Sequence, residues 1–233
     1  MRYMNHKDHE MWNAVKLLVK LNKKEEVFLS LLKTTEINEE KADYWFYKTL
    51  YLSENLSKIG SEMEIFDCYE ELLDCCNTAI SLDNKHWPAY YLRSLFSVLI
   101  QESMKGEDET LHYLLPCFRT YSELMEEAEE LLKVQKDEKE DPVFFLPYCI
   151  KAMICLEEDK LEEAITLIRS GLNNTKPGFL HYIPTLFQIP FYKLYYNEKL
   201  TNSEVKKHLR KRFSDMFSIK LREKRSCGKV VLY

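Results

Sequence analysis

The stretch YCIKAMICLEEDKLEEAITLIRSGL, from Tyr148 to Leu172, decides the fold that the sequence predicts. Apolar residues recur in it three and four residues apart, beginning with Ala152 and Cys155, which is the spacing of one face of an α-helix. The polar residues 157–159 interrupt this pattern, and it resumes at Ala164. The stretch therefore predicts two antiparallel helices joined by a short turn.

The same helical spacing extends over nearly the whole chain. Short polar joints such as residues 22–24 and 83–85 separate the apolar stretches, and no segment shows the sustained alternation that is typical of a strand. Glycine and proline, with 5 and 7 residues, make up about 5% of the chain, where about 12% is usual. This shortage argues against a turn-rich β-sandwich and against glycine-rich phosphate loops. The sequence therefore predicts an all-α fold built from helical hairpins.

Small residues in the deciding stretch occupy positions where two helices would cross. Ala152 lies four residues after Tyr148, Ala164 follows the turn, and Gly171 lies seven residues after Ala164. Small side chains allow antiparallel helices to approach closely, while an aromatic ring fills the space between successive hairpins. This pattern resembles that of the tetratricopeptide repeat (TPR), a helical hairpin that stacks into a solenoid.

The residue that takes the place of Tyr148 in each repeat recurs along the chain. In the order of the chain it falls on Met11, Trp45, Tyr90, Tyr148 and Tyr182. The first and last intervals are 34 residues, and the TPR period is about 34. The two longer intervals contain the polar segments 53–64 and 102–141, which we interpret as insertions. The resemblance thus implies an α-solenoid of about five TPR-like hairpins over residues 1–200.

Charge is distributed unevenly along the chain. Residues 199–233 carry eleven Lys or Arg and three Asp or Glu, although the whole chain has a formal net charge of −5. Val205, Leu209 and Phe213 form an apolar stripe at helical spacing. Because a solenoid needs its last apolar face covered, we expect residues 201–233 to contain a basic C-terminal capping helix and a tail. Its basic patch consists of Lys206, Lys207, Arg210 and Lys211.

The chain contains no recognisable catalytic or cofactor-binding pattern. Phosphate-binding, dinucleotide-binding and nucleophile-elbow motifs are missing from the sequence. His6 and His9 have no further metal ligand nearby, and nothing distinguishes His112 and Cys117 from ordinary loop residues. The seven cysteines include no C-x-x-C pair, which favours buried thiols. We therefore expect no enzymatic activity, no metal and no cofactor.

The sequence also bears on location. The N-terminus is polar and lacks the apolar region of a signal peptide. The longest uncharged run, residues 177–192, has 16 residues and three prolines, which makes it too short to span a bilayer. We therefore expect no membrane span, and unpaired cysteines favour the reducing cytoplasm.

The resemblance implies a binding surface. Stacked TPR hairpins curve so that the first helix of each hairpin lines a concave face, where extended peptides or partner helices bind. The groove positions implied in this chain are Trp12, Lys16, Phe46, Leu50, Tyr91, Leu95, Cys149, Met153, Ile183 and Phe187. Most of them are apolar or aromatic. We therefore expect a protein–protein or peptide interaction module, an adaptor or scaffold, that binds a hydrophobic segment of another protein.

Three other interpretations of these residues stay open. The basic patch could contact nucleic acid phosphates in a regulatory protein, although few aromatic residues flank it for base stacking. The aromatic helices could enclose a small molecule or a lipid. Alternatively, the hairpins could pack so closely that the concave face is closed and the groove residues form part of the core.

Overall fold

A computed structural model describes residues 24–34, 38–53, 62–103, 116–137 and 146–174. Within these residues the regular secondary structure consists of seven α-helices and no strands, which confirms the predicted all-α class. The helices are α1 (Lys24–Thr34), α2 (Ala42–Ser53), α3 (Glu62–Leu82), α4 (Trp87–Ser103), α5 (Tyr121–Asp137), α6 (Leu146–Glu157) and α7 (Leu161–Asn174). None of the described helices is long and apolar enough to cross a membrane.

Among the described helices, four pairs of consecutive helices pack against each other. Helix α2 packs on both α1 and α3, and α6 packs on both α5 and α7. The chain divides into two compact units, residues 1–100 with 106–118 and residues 101–105 with 119–233. Helices α1 to α3 and most of α4 belong to the first unit, and α5 to α7 belong to the second. Short connections between helices produce this neighbour-on-neighbour packing.

The α6–α7 hairpin lies where the sequence predicts it. Helix α6 ends at Glu157 and α7 begins at Leu161. The turn between them is closed by the backbone, because the Lys160 N–H donates to the Cys155 carbonyl oxygen at 2.7 Å. Asp159 has a φ of 59°, a left-handed conformation that aspartate tolerates better than most residues. The three polar residues between the helices, 158–160, therefore form the turn that reverses the direction of the chain.

Helix starts follow recognisable local chemistry. Pro88 and Pro147 are the second residues of α4 and α6, where a missing N–H costs no intrahelical hydrogen bond. Thr120 precedes α5, and its hydroxyl accepts the Glu123 N–H at 3.3 Å, while the Glu123 carboxylate accepts the Thr120 N–H at 2.7 Å. This reciprocal pair is a capping box. It fixes the first turn of α5.

Two of the predicted boundaries can be compared with the helices. Helix α3 begins at Glu62, inside the segment 53–64 that we interpret as the first insertion. Helix α5 lies wholly inside the second, residues 102–141, so this segment contributes a helix of its own. The predicted basic capping helix, residues 201–233, lies outside the described residues.

Candidate functional site

Six of the ten predicted groove residues fall within the described residues. Phe46 and Leu50 lie on α2, Tyr91 and Leu95 on α4, and Cys149 and Met153 on α6. The other four are Trp12, Lys16, Ile183 and Phe187, and they lie outside the described residues. The same holds for the basic patch of Lys206, Lys207, Arg210 and Lys211.

Burial separates these six side chains into two groups. Phe46 and Leu50 are 0% exposed, and Tyr91, Cys149 and Met153 are also buried. Leu95 is half-buried. The five buried side chains are therefore core residues in this structure, and Leu95 is the member of the six with partial access to solvent.

The packing of α6 explains why Cys149 and Met153 are enclosed. Helix α6 has α5 on one side and α7 on another, and every residue from Leu146 to Leu156 except Lys151 is buried. Even the Lys151 ammonium contacts a neighbouring helix, since it donates to a Glu129 carboxylate oxygen on α5 at 3.0 Å. A helix that is packed on two sides has little surface left with which to line a groove.

Helix α4 carries two half-buried leucines one turn apart. Leu99 lies one turn after Leu95, and both side chains are half-buried. Residues four apart lie on the same face of a helix. We call this pair of residues the α4 strip.

A polar pair that the sequence did not indicate links α2 to the start of α4. His86 immediately precedes α4, and its Nε2 lies 3.1 Å from Oδ1 of Asp43 on α2. Its Nδ1 accepts the backbone N–H of Ala89 at 3.2 Å. The ring centroid lies 5.6 Å from that of Phe46, and the His86 side chain is only 4% exposed. Since 43 residues separate the partners, no local pattern could have shown that they meet.

Two side chains of α2, Trp45 and Lys48, also make contacts with each other and with neighbouring residues. The Lys48 ammonium lies 4.8 Å from the ring centroid of Trp45 and 3.7 Å from a carboxylate oxygen of Glu71. The Trp45 indole N–H donates to the Glu39 carbonyl oxygen at 2.8 Å. The half-buried ring of Trp45 is thus engaged at both its edge and its face.

Five of the six described thiols are buried, and that of Cys68 is half-buried. Burial raises the pKa of Cys68 to about 11, and Glu71 adds to this effect. Burial likewise raises the pKa of Cys75 to about 11 and that of Cys149 well above its ordinary value. A thiol in this state stays protonated at neutral pH and is a poor nucleophile or metal ligand.

Candidate metal ligands can be assessed where the structure describes them. In that part of the chain, no three or more His, Cys, Asp or Glu side chains come together in a way that could hold a metal ion. Cys117 is buried. His112 lies outside the described residues, as do His6 and His9.

The four residues of the α6–α7 hairpin that contribute to the TPR resemblance are all buried. Ala152 and Ala164 are 0% exposed, and Tyr148 and Gly171 are buried as well. Comparison with known protein families, with curated proteins and with solved structures gives no match for this chain. The resemblance therefore depends on these residues and on their placement.

Proposed function

We propose that this chain is a TPR-like helical repeat protein that acts as an adaptor or scaffold in the cytoplasm, where it binds a hydrophobic segment of a partner protein. One observation carries the proposal: all four residues that make the α6–α7 stretch resemble a TPR are buried in a helical hairpin. In a TPR these positions are occupied by small or aromatic residues because they form the contacts between helices.

The way the helices are arranged suits this role. Each of α2 and α6 packs on the helix before it and on the helix after it, as in proteins whose repeats contact their neighbours along the chain. Such arrays present helix faces to which a partner helix or an extended peptide can bind. These observations concern how the helices pack. The chemistry of the partner is inferred from the side chains that the helices expose.

The burial of the predicted groove residues changes where we expect the partner to bind. Phe46, Leu50, Cys149 and Met153 are enclosed and can act only by setting the positions of their helices. The α4 strip is half-buried, so an apolar partner side chain that covers it removes further apolar surface from water. Each additional Å² that is buried contributes about 25 cal/mol. We therefore place the partner's hydrophobic segment on this strip.

A pair of leucine substitutions tests this placement. Leu95→Asp puts a charge on the α4 strip, and Leu82→Asp puts the same charge on the exposed end of α3, where Leu82 is 46% exposed. Tagged wild-type protein and both variants are used to capture partners, which are then quantified by mass spectrometry. We expect at least one protein to be captured equally by wild type and Leu82→Asp, and about tenfold less by Leu95→Asp.

Two controls make the result decisive. Circular dichroism melting of each variant establishes that the fold is intact, and a photo-crosslinking amino acid at position 95 has to attach to the same partner. If every captured protein is retained by Leu95→Asp, or if crosslinking from position 95 yields no product, the α4 strip is not the binding surface. If the wild type captures no partner, the interaction role itself is wrong.

A further inference from the structure

The start of α4 is unusual in being capped by a histidine. Residues with short oxygen-bearing side chains, such as Ser, Asp and Asn, usually precede a helix and accept a hydrogen bond from its first turn. Here His86 holds that position, and its Nδ1 accepts the Ala89 N–H at 3.2 Å. The same N–H also lies 3.0 Å from the His86 carbonyl oxygen. The imidazole therefore supplies one of two acceptors for this amide.

The two contacts of the ring determine which nitrogen carries its proton. A nitrogen that accepts an N–H must present a lone pair, so Nδ1 bears no hydrogen while the cap is formed. Nε2 then carries the proton and donates it to Asp43 at 3.1 Å. Both nitrogens of a ring that is 4% exposed are thus occupied.

The groups around the ring come from α2, from α3 and from the connection that precedes α4. Among the described residues, Asp43 of α2 is the charged side chain in contact with the ring. Asp83 and Lys85, in the connection that precedes α4, are exposed. From α3, Ala79 and Ile80 contribute apolar packing around Ala89.

We propose that His86 is an acid-sensitive cap that loosens the first turn of α4 without releasing it from α2. A proton from solvent can bind the ring only at Nδ1, and it then occupies the lone pair that accepts the Ala89 N–H. The new N–H and the amide N–H face each other, so the capping bond is lost. The Nε2–H to Asp43 bond persists and becomes an ion pair between the imidazolium and the carboxylate. Protonation thus exchanges a contact within α4 for a stronger contact with α2.

This device is independent of the proposed binding function, because it concerns one helix start and requires no partner. Its consequence for the fold is local. The amide of Ala89 loses one of its two acceptors, while the α2 connection becomes stronger. If the proposal holds, protonation of the ring therefore changes the environment of the Ala89 amide.

NMR of the full-length, isotope-labelled chain measures this change directly. The pH is lowered from about 8 to about 5, the interval in which histidine side chains titrate, while the His86 ring signals and the Ala89 amide signal are followed. We expect both to shift with the same midpoint. We also expect hydrogen exchange at Ala89, corrected for the intrinsic effect of pH, to become about two- to fivefold faster, as for the loss of a cap.

Two variants assign the effect to the proposed contacts. His86→Asn keeps a good capping residue that does not titrate, so the Ala89 signal should become independent of pH. Asp43→Asn keeps an acceptor for Nε2–H but removes the carboxylate with which the protonated ring forms an ion pair, so the response of the Ala89 amide to pH should differ from that of the wild type.

Three results would overturn the proposal. The first is a His86 ring that titrates while the Ala89 amide stays unchanged. The second is a ring that remains neutral over the whole interval. The third is an Ala89 response that persists in His86→Asn. The first two are read from the wild-type protein alone, so the proposal can be rejected even if a variant does not fold.

Discussion

The α6–α7 hairpin and the α2–α3–α4 region both bury alanines on their helices, but they fix their helices by different chemistry. Ala152 and Ala164 are buried in the hairpin, and its turn is closed by backbone hydrogen bonds. Ala42, Ala79 and Ala89 form the corresponding cluster in the other region. There, however, a side-chain pair also joins α2 to the start of α4. The hairpin is therefore local in origin, and the other region depends on residues that are distant in sequence.

The largest effect is expected from enlarging a small residue in the hairpin. Ala164→Leu adds a branched side chain at a position with 0% exposure, and such overpacking costs about 1–3 kcal/mol. Ala152→Leu should cost a similar amount if the two alanines face each other across the hairpin. Urea denaturation measures the free energy of unfolding. The control is Glu163→Leu at the neighbouring exposed position, and equal stability of all three variants would contradict the proposed crossing.

The hairpin could be predicted because its information lies within a short stretch. Small residues, an aromatic residue and a polar joint occur within 25 residues of sequence. These residues predict both that two helices form and where the two helices approach each other. Pro88 and Pro147 likewise indicate helix starts through their own backbone chemistry.

The groove could not be predicted in the same way. Apolar side chains such as Phe46 and Met153 suit a hydrophobic binding surface and a core equally well, so residue type does not separate the two. What decides is whether a second helix covers the face, and α2 and α6 both have neighbours on two sides. The contact between Asp43 and His86 is a long-range consequence of the same packing. No periodicity in the sequence encodes it.

Removing the distant polar contact should have the next largest effect. Asp43→Ala leaves the Nε2–H of a buried imidazole without its acceptor, which costs about 1–3 kcal/mol. Asp67→Ala removes an exposed carboxylate from α3 and should change the free energy of unfolding by less than about 0.5 kcal/mol. Urea denaturation at neutral pH compares the two. If Asp43→Ala is as stable as Asp67→Ala, the polar pair does not stabilise the α2–α3–α4 region.

The start of α5 has an ordinary N-cap, which can be compared with the histidine cap of α4. Thr120→Ala removes the hydroxyl that accepts the Glu123 N–H, and losing such a cap costs about 0.5–2 kcal/mol. Ser122→Ala, two residues further on and exposed, is the matched control and should be nearly neutral. Urea denaturation of both variants measures the difference, and equal stability would show that the Thr120 hydroxyl does not cap the helix.

The capping box of α5 also makes a prediction about pH. The backbone N–H of Thr120, and then its hydroxyl, lower the pKa of Glu123 by hydrogen bonding to the carboxylate. A lowered pKa in the folded state stabilises the protein above the ordinary titration range of glutamate, and this stabilisation is lost as the pH falls through the lowered value. The difference between wild type and Glu123→Gln should therefore shrink on acidification. A difference that grows at low pH would show that the carboxylate is not held by this cap.

The smallest effect is expected at a buried hydroxyl of α4 that lacks a partner. Ser94 is 0% exposed, and its Oγ has no hydrogen-bond partner among the residues that the structure describes. The Thr49 hydroxyl of α2 is also buried, but it donates to the Trp45 carbonyl oxygen at 2.9 Å and lies 3.8 Å from the Cys76 sulfur.

Removing a buried hydroxyl that makes no hydrogen bond removes a desolvation penalty, and alanine is the better helix former. Ser94→Ala should therefore leave the free energy of unfolding unchanged or raise it by up to about 1 kcal/mol, whereas Thr49→Val should lower it by about 1 kcal/mol. Loss of stability in Ser94→Ala would mean that the Ser94 hydroxyl is hydrogen-bonded in solution.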